Sequence, residues 1–128
     1  MTRQTYPRSV DRGIGDDVTA LPASVLRHRV ALGDCSGLAT NEWFPPEPDV
    51  KYPEARTKYE AVARQLCGGC PVIAECLELA LRAESRPFVI PHGVFGGRAP
   101  WERQALIRAR RRRAHAARLR DQAEEVSA

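Results

Sequence analysis

The sequence predicts an all-α fold: a small bundle of about four short helices gathered around a four-cysteine centre, with a flexible N-terminus and a basic C-terminal helix. Three observations predict it. Apolar residues recur every three or four positions in stretches bounded by proline and glycine, which is helical spacing. Four cysteines, Cys35, Cys67, Cys70 and Cys76, are spaced C-x31-C-x2-C-x5-C, so that one long loop and one tight knuckle can grip a single object. Aromatic residues make up only 6% of the 128, which implies a small core and gives value to a staple joining distant segments.

Residues 1–20 are polar and punctuated by Pro7, Gly13 and Gly15, and are expected to be disordered. Residues 22–32 read as a short helix from Pro22, with Val25, Leu26, Val30 and Leu32 as its apolar positions; Gly33-Asp34 breaks it before Cys35. The following stretch, 36–53, is too rich in proline for helix and carries Trp43 and Phe44. Helix resumes over 53–66, with Ala55, Tyr59, Val62 and Leu66 at spacings of four, three and four, and delivers Cys67 at its end. Pro71 suits a first helical position, which makes Cys70 the expected N-cap of a helix over 71–83. Arg86-Pro87 opens a connection to His92-Gly93-Val94-Phe95-Gly96-Gly97, where glycines on both sides of a Val-Phe pair signal a turn with exposed backbone. Pro100 starts the last helix with Glu102 in its first turn, although Ala99 is a poor N-cap. That helix passes Trp101, placed for packing by its spacing from Ala105, and continues through Leu106 and Ala109 into the arginine run. The expected organisation is therefore 1–20 as a disordered N-terminus, 21–107 as the domain that holds the four-cysteine centre and 108–128 as a basic arm.

No apolar run approaches the ~18–20 residues that span a bilayer, and the N-terminus lacks the apolar core of a signal peptide. Four cysteines in such a chain point to the reducing cytoplasm, where thiolates stay free for metal. A disulfide framework fits that compartment poorly. Structural zinc usually shows two short pairs or mixed Cys and His ligands; here the second short gap is five residues and no histidine is near. Cys67-Gly68-Gly69-Cys70-Pro71 has the form of a redox C-x-x-C, but such sites follow a strand and the preceding residues 54–66 are helical in pattern. A thiolate at a helix N-terminus, beside unpaired N–H groups and side-chain-free glycines, suits an anionic thiolate-ligated cluster, and Cys76 lies about a turn and a half further on. An iron–sulfur cluster is the favoured reading; a zinc-stapled DNA-binding module and a thiol–disulfide oxidoreductase are the alternatives. His28, His92 and His115 have no ligand spacing. No acid pair, phosphate loop or nucleophile–base arrangement is present, so neither a catalytic residue nor a small-molecule substrate is expected.

Charge is concentrated at one end. Residues 98–120 hold nine Arg against Glu102 alone, a net of +8 in a chain of net +4, which leaves −4 for the rest. A polyanionic partner, most plausibly nucleic acid, follows from that asymmetry. Arg110, Arg111, Arg112 and Arg113 cover every face of a helix and, with Arg108, are expected to contact DNA phosphates rather than read bases.

Together these motifs resemble the WhiB-like proteins of actinobacteria and their phages. The resemblance runs from about Cys35 to Arg113. It rests on Trp43-Phe44-Pro45 after the first cysteine, Cys67-Gly68-Gly69-Cys70-Pro71-Val72, Glu75-Cys76-Leu77, Gly93-Val94-Phe95-Gly96-Gly97 and Glu102-Arg103-Gln104-Ala105-Leu106. It implies a transcriptional regulator, not an enzyme, holding one [4Fe–4S] cluster on Cys35, Cys67, Cys70 and Cys76. Also implied are binding to the C-terminal region of the primary sigma factor of RNA polymerase, contact with promoter DNA through the basic end, and reaction of the cluster with nitric oxide or oxygen. Cluster-free members have been credited with disulfide reductase activity. Trp43, Phe44 and Phe95 are the expected sigma-factor contact, beside the Gly93, Val94, Gly96 and Gly97 turn. Phe95 stands where the family usually has Trp, which removes an indole N–H, and no Trp precedes Cys35 in the stretch from His28 to Asp34.

Overall fold

Proline stands at the entrance of three of the four helices. A computed structural model describes residues 17–32, 44–48 and 51–127; Cys35 and Trp43 lie outside the described residues. The helices are α1 (Ala23–Ala31), α2 (Pro53–Cys67), α3 (Ile73–Glu84) and α4 (Pro100–Ser127), preceded by a 3-10 turn at Val18–Ala20. Among the described residues there is no strand, only one antiparallel bridge between Phe95 and Arg98. No described helix is long and apolar enough to cross a membrane.

Pro22 is the extended N-cap of α1, which buries Leu26 and packs against α3. The 3-10 turn packs on α3 as well. Asp17 caps it by accepting from the Thr19 N–H at 3.0 Å and the Thr19 hydroxyl at 2.7 Å, while Arg82 donates to the Thr19 carbonyl at 3.0 Å. The expectation of disorder through residue 20 therefore fails for Asp17–Ala20, because an arginine distant in sequence ties that backbone down. The expected disorder of residues 1–16 lies outside the described residues.

In α2 the inward stripe is Tyr59, Ala63 and Cys67, and Val62, expected on that face, is exposed. A repeated step of four advances about 40° beyond a full turn each time, so the buried stripe slants around the helix toward Cys67. Helix α3 begins at Ile73 with Val72 as N-cap, so Cys70 does not cap it. The Cys70 N–H instead donates to the Cys67 carbonyl at 3.0 Å, and Gly69, at φ +81°, lets the chain turn sharply between the two helices. Helix α4 begins at Pro100 as expected. Its weak cap is reinforced by Glu102, whose Oε1 accepts the Ala99 N–H at 3.0 Å in the reciprocal half of a capping box.

Tyr59, Ala63, Cys67, Val94 and Ala99 form the buried cluster, with Leu66, Ile73 and Trp101 against it. Trp101 meets Tyr59 at 5.0 Å between ring centroids, and the Arg56 guanidinium lies 4.8 Å from the indole centroid, a packing role as its spacing implied. Cys67 thus belongs to the core itself. The boundary drawn at 107/108 falls inside the uninterrupted α4, so body and arm share one helix.

Candidate functional site

The end of α2, the first turn of α3 and the glycine turn converge on three cysteines. Cys67 closes α2 and is 2% exposed; Cys70 and Cys76 are half-buried, and all three are free thiols. Their charges are close enough to interact, each of the other two raising the Cys67 thiol. Burial is the main cause of that rise; the Gly97 N–H, which donates to the sulfur, and nearby Arg64 pull the other way. Burial likewise pushes the Cys76 thiol up, opposed by the Gly96 N–H and by Arg103. Consecutive backbone amides therefore serve two different cysteines. The amide donors expected from the α3 N-terminus come instead from the glycine turn. Among the described residues no three His, Cys, Asp or Glu side chains already stand together as a metal site.

The turn can approach this closely only with glycine. Gly96 has φ +60°, and a Cβ there would lie 2.4 Å from the Leu77 Cβ and 2.5 Å from its Cα. Gly97 has φ +72°, and its Cβ would meet Ile73 at 2.9 Å. Gly93 also has positive φ, at +69°, while Val94 is fully buried in the core.

Two arginines hold the turn from opposite sides. Arg64 on α2 donates to the Gly97 carbonyl and makes a two-pronged pair with Glu102, at 2.7 and 2.5 Å. Arg103 on α4 is 0% exposed and uses all its N–H donors. Its Nε and Nη2 donate to Glu84 at 2.6 and 3.0 Å, Nη1 to the carbonyls of Gly93 at 2.8 Å and Arg98 at 2.7 Å, and Nη2 also to the His92 carbonyl at 3.0 Å. Sequence reading gave Arg103 no role, since an arginine on a basic helix looks solvated. The only cue available was its place in the Glu102–Leu106 motif.

Phe44 and Phe95 come together, edge to face with centroids 6.4 Å apart, and both are partly exposed. His92 stacks on Phe44 at 5.1 Å and its Nδ1 lies 2.8 Å from the Glu47 carboxylate. The Arg103 guanidinium sits 5.2 Å from the Phe95 centroid, so the aromatic patch rests on the same arginine that orders the turn. Trp43 lies outside the described residues, as does the fourth cysteine, Cys35.

The arginine run divides. Arg110 pairs with Glu78 on α3, at 3.2 and 2.5 Å, and the Glu78 side chain is 4% exposed. Arg110, expected among the phosphate contacts, finds an acidic partner on α3, 32 positions away. Arg111 is exposed and donates to the Ser85 carbonyl at 3.1 Å. Arg108, Arg112 and Arg113 are exposed and form no ion pair among the described residues.

The donor set fits a thiolate-ligated metal centre: three neighbouring cysteines, two of them receiving backbone N–H groups, at the edge of the core. The fold around Cys67-Cys70 differs from a thioredoxin-type site, because a helix and not a strand leads into it.

The chain is 34% identical over 76 residues to the redox-responsive transcriptional regulator WhiB3 of Mycolicibacterium smegmatis, covering 59% of this chain and 72% of that protein. It is 36% identical over 76 residues to the redox- and pH-responsive transcriptional regulator WhiB3 of Mycobacterium tuberculosis, covering 59% and 68%. To the transcriptional regulator WhiD of Streptomyces coelicolor it is 38% identical over 82 residues, covering 63% and 67%. No solved structure matches. The family model described as transcription factor WhiB matches residues 30–106, more than half of the chain, and the protein belongs to that family.

Proposed function

We propose that the chain is a transcriptional regulator that holds one [4Fe–4S] cluster on Cys35, Cys67, Cys70 and Cys76. In this reading it binds the C-terminal region of the primary sigma factor through Trp43, Phe44 and Phe95, and contacts promoter DNA through the exposed arginines of α4. The observation that carries the reading is that Cys67, Cys70 and Cys76 lie close enough for their charges to interact, with the Gly97 N–H on Cys67 and the Gly96 N–H on Cys76. When bound, the cluster supplies a redox centre that also reacts with nitric oxide or oxygen. Gly96 and Gly97 orient donors at the sulfurs, which favours their anionic form. Leu66, Ile73 and Val94 keep water from that edge of the core. Arg103 fixes the turn to α4 and supports Phe95, so the sulfur-facing backbone, the aromatic patch and the basic helix share one buried residue. Arg108, Arg111, Arg112 and Arg113 supply phosphate contacts, while Arg110 chiefly anchors α4 to α3.

Anaerobic co-purification with the primary sigma factor, with iron, sulfide and zinc analysis of the complex, tests this. About four iron and four sulfide per chain are expected, reduced severely by each single Cys→Ser change. Stoichiometric zinc without sulfide would replace the reading by the zinc-stapled module. A cluster-loaded chain that fails to hold the sigma factor would remove the partner assignment alone.

A further inference from the structure

The connection between α3 and the glycine turn contains a side chain that folding does not explain. The Val89 N–H donates to the Arg86 carbonyl at 3.3 Å, closing a turn with Pro87 and Phe88 at its corners. Phe88 has φ +65°. The third position of such a proline turn favours glycine, and a Cβ-bearing residue there is strained. Phe88 is also fully exposed, and Ile90 is 82% exposed. Neither packing nor backbone preference accounts for an aromatic ring at this corner.

Beside this tip runs a groove of about 380 Å³, formed by the connection and α4. Pro87, Phe88 and Ile107 give it an apolar side, and Arg86, Arg108 and Arg111 a basic one. Its acid, Glu84, is committed to Arg103 through three hydrogen bonds, so the groove carries net positive charge. Exposed arginines continue from it along α4 to Arg120, about 18 Å further at 1.5 Å per residue. An anionic partner of that length, with flat apolar faces between its charges, is duplex DNA and not a short acidic peptide.

We infer that Phe88, supported by Ile90, is an apolar wedge that enters a base step of the duplex while Arg86, Arg108 and Arg111 hold the flanking phosphates. This rests on the DNA reading of α4 and adds to it a deformation of the DNA, since a wedge of this kind unstacks the step and bends the helix.

The test uses the full chain, isolated anaerobically with its metal, and a labelled mixed-sequence duplex of about 30 base pairs carrying 2-aminopurine at flexible TA steps. Binding of the unaltered chain is expected to raise 2-aminopurine fluorescence and shorten the end-to-end distance by energy transfer. Phe88→Gly combined with Ile90→Ala relieves the turn and is expected to fold at least as well. It should bind about tenfold more weakly, with an unchanged slope of log K against log salt and no fluorescence rise at saturation. The triple change Arg108→Gln, Arg112→Gln and Arg113→Gln should do the reverse, giving a shallower slope and a retained rise at saturation. Equal affinity and an equal rise for the Phe88 variant overturn the wedge while leaving the arginine reading intact. So does loss of sigma-factor binding, or of phosphatidylglycerol vesicle binding, with DNA behaviour unchanged. An unaltered chain that binds no duplex at low salt overturns the DNA reading itself.

Discussion

Replacing Arg103 by Met is the most informative perturbation of this fold. The apolar stem is roughly preserved, but the Glu84 carboxylate, 9% exposed, loses its counter-charge, and the carbonyls of His92, Gly93 and Arg98 lose their donor. Removing one partner of a buried ion pair costs about 3–5 kcal/mol. Each orphaned carbonyl adds up to roughly 1–3 kcal/mol, less where water reaches it. A loss of at least about 4 kcal/mol is expected, against a total stability of about 5–15 kcal/mol for a small domain. A double-mutant cycle with Glu84→Leu separates the pair from the carbonyls. The double variant should be about 2–3 kcal/mol more stable than the sum of the single losses predicts. The assay is urea unfolding of the metal-loaded chain under anaerobic conditions, with Arg112→Met as a surface control expected within about 0.5 kcal/mol. A loss below about 1 kcal/mol for Arg103→Met, or a coupling below about 0.5 kcal/mol, would refute the assignment of Arg103 as the clamp of the glycine turn.

Four further outcomes are expected. Gly96→Ala should destabilise by more than about 2 kcal/mol and release the metal, because positive φ and a clash with the Leu77 backbone act together, while Gly68→Ala, without positive φ, should be milder in the same unfolding assay. Phe44→Ala or Phe95→Ala should weaken sigma-factor binding by about 1–3 kcal/mol with metal content unchanged; normal titration curves for both would make the patch a spectator. Changing Arg108, Arg112 and Arg113 to Gln should make the DNA salt slope shallower by up to about 2.7, whereas Arg110→Gln should chiefly lower the thermal midpoint. Burial opposes ionisation of Glu78 and of Glu102, yet arginine hydrogen bonds hold both carboxyls below their usual value of 4.5. A depressed carboxyl stabilises the fold above its unfolded pKa and loses that contribution as pH falls through the folded one. The melting temperature should therefore drop below about pH 4.5, and Glu78→Gln should flatten the drop; an identical profile for the variant would assign the acid sensitivity elsewhere.

Proline and glycine made most helix boundaries legible, because they act locally: Pro53 and Pro100 open helices where the sequence places them. The cysteine knuckle was legible for the same reason, as was the glycine turn. Cys70 as a cap was not, since the hydrogen bond that closes the Cys67–Cys70 turn competes with helix and delays α3 by two residues. The buried charges were least legible. Arg103 finds Glu84 at a separation of 19 positions and Arg110 finds Glu78 at 32, and no local periodicity encodes such pairs. A run of arginines reads as uniform charge until the fold decides which ones it consumes.

Helix α4 is 28 residues long, and beyond Arg111 almost all of it is exposed. Arg103, Arg110 and Arg111 tie its root to the body, so the unsupported lever begins beyond Arg111. From Arg111 to Arg120 the axis extends about 14 Å at 1.5 Å per residue. A tilt of about 10° at that point would displace the far end by about 2–3 Å, most of one base-pair rise. The pairs that bury Glu78 and Glu84 therefore set the direction in which the arm leaves the body.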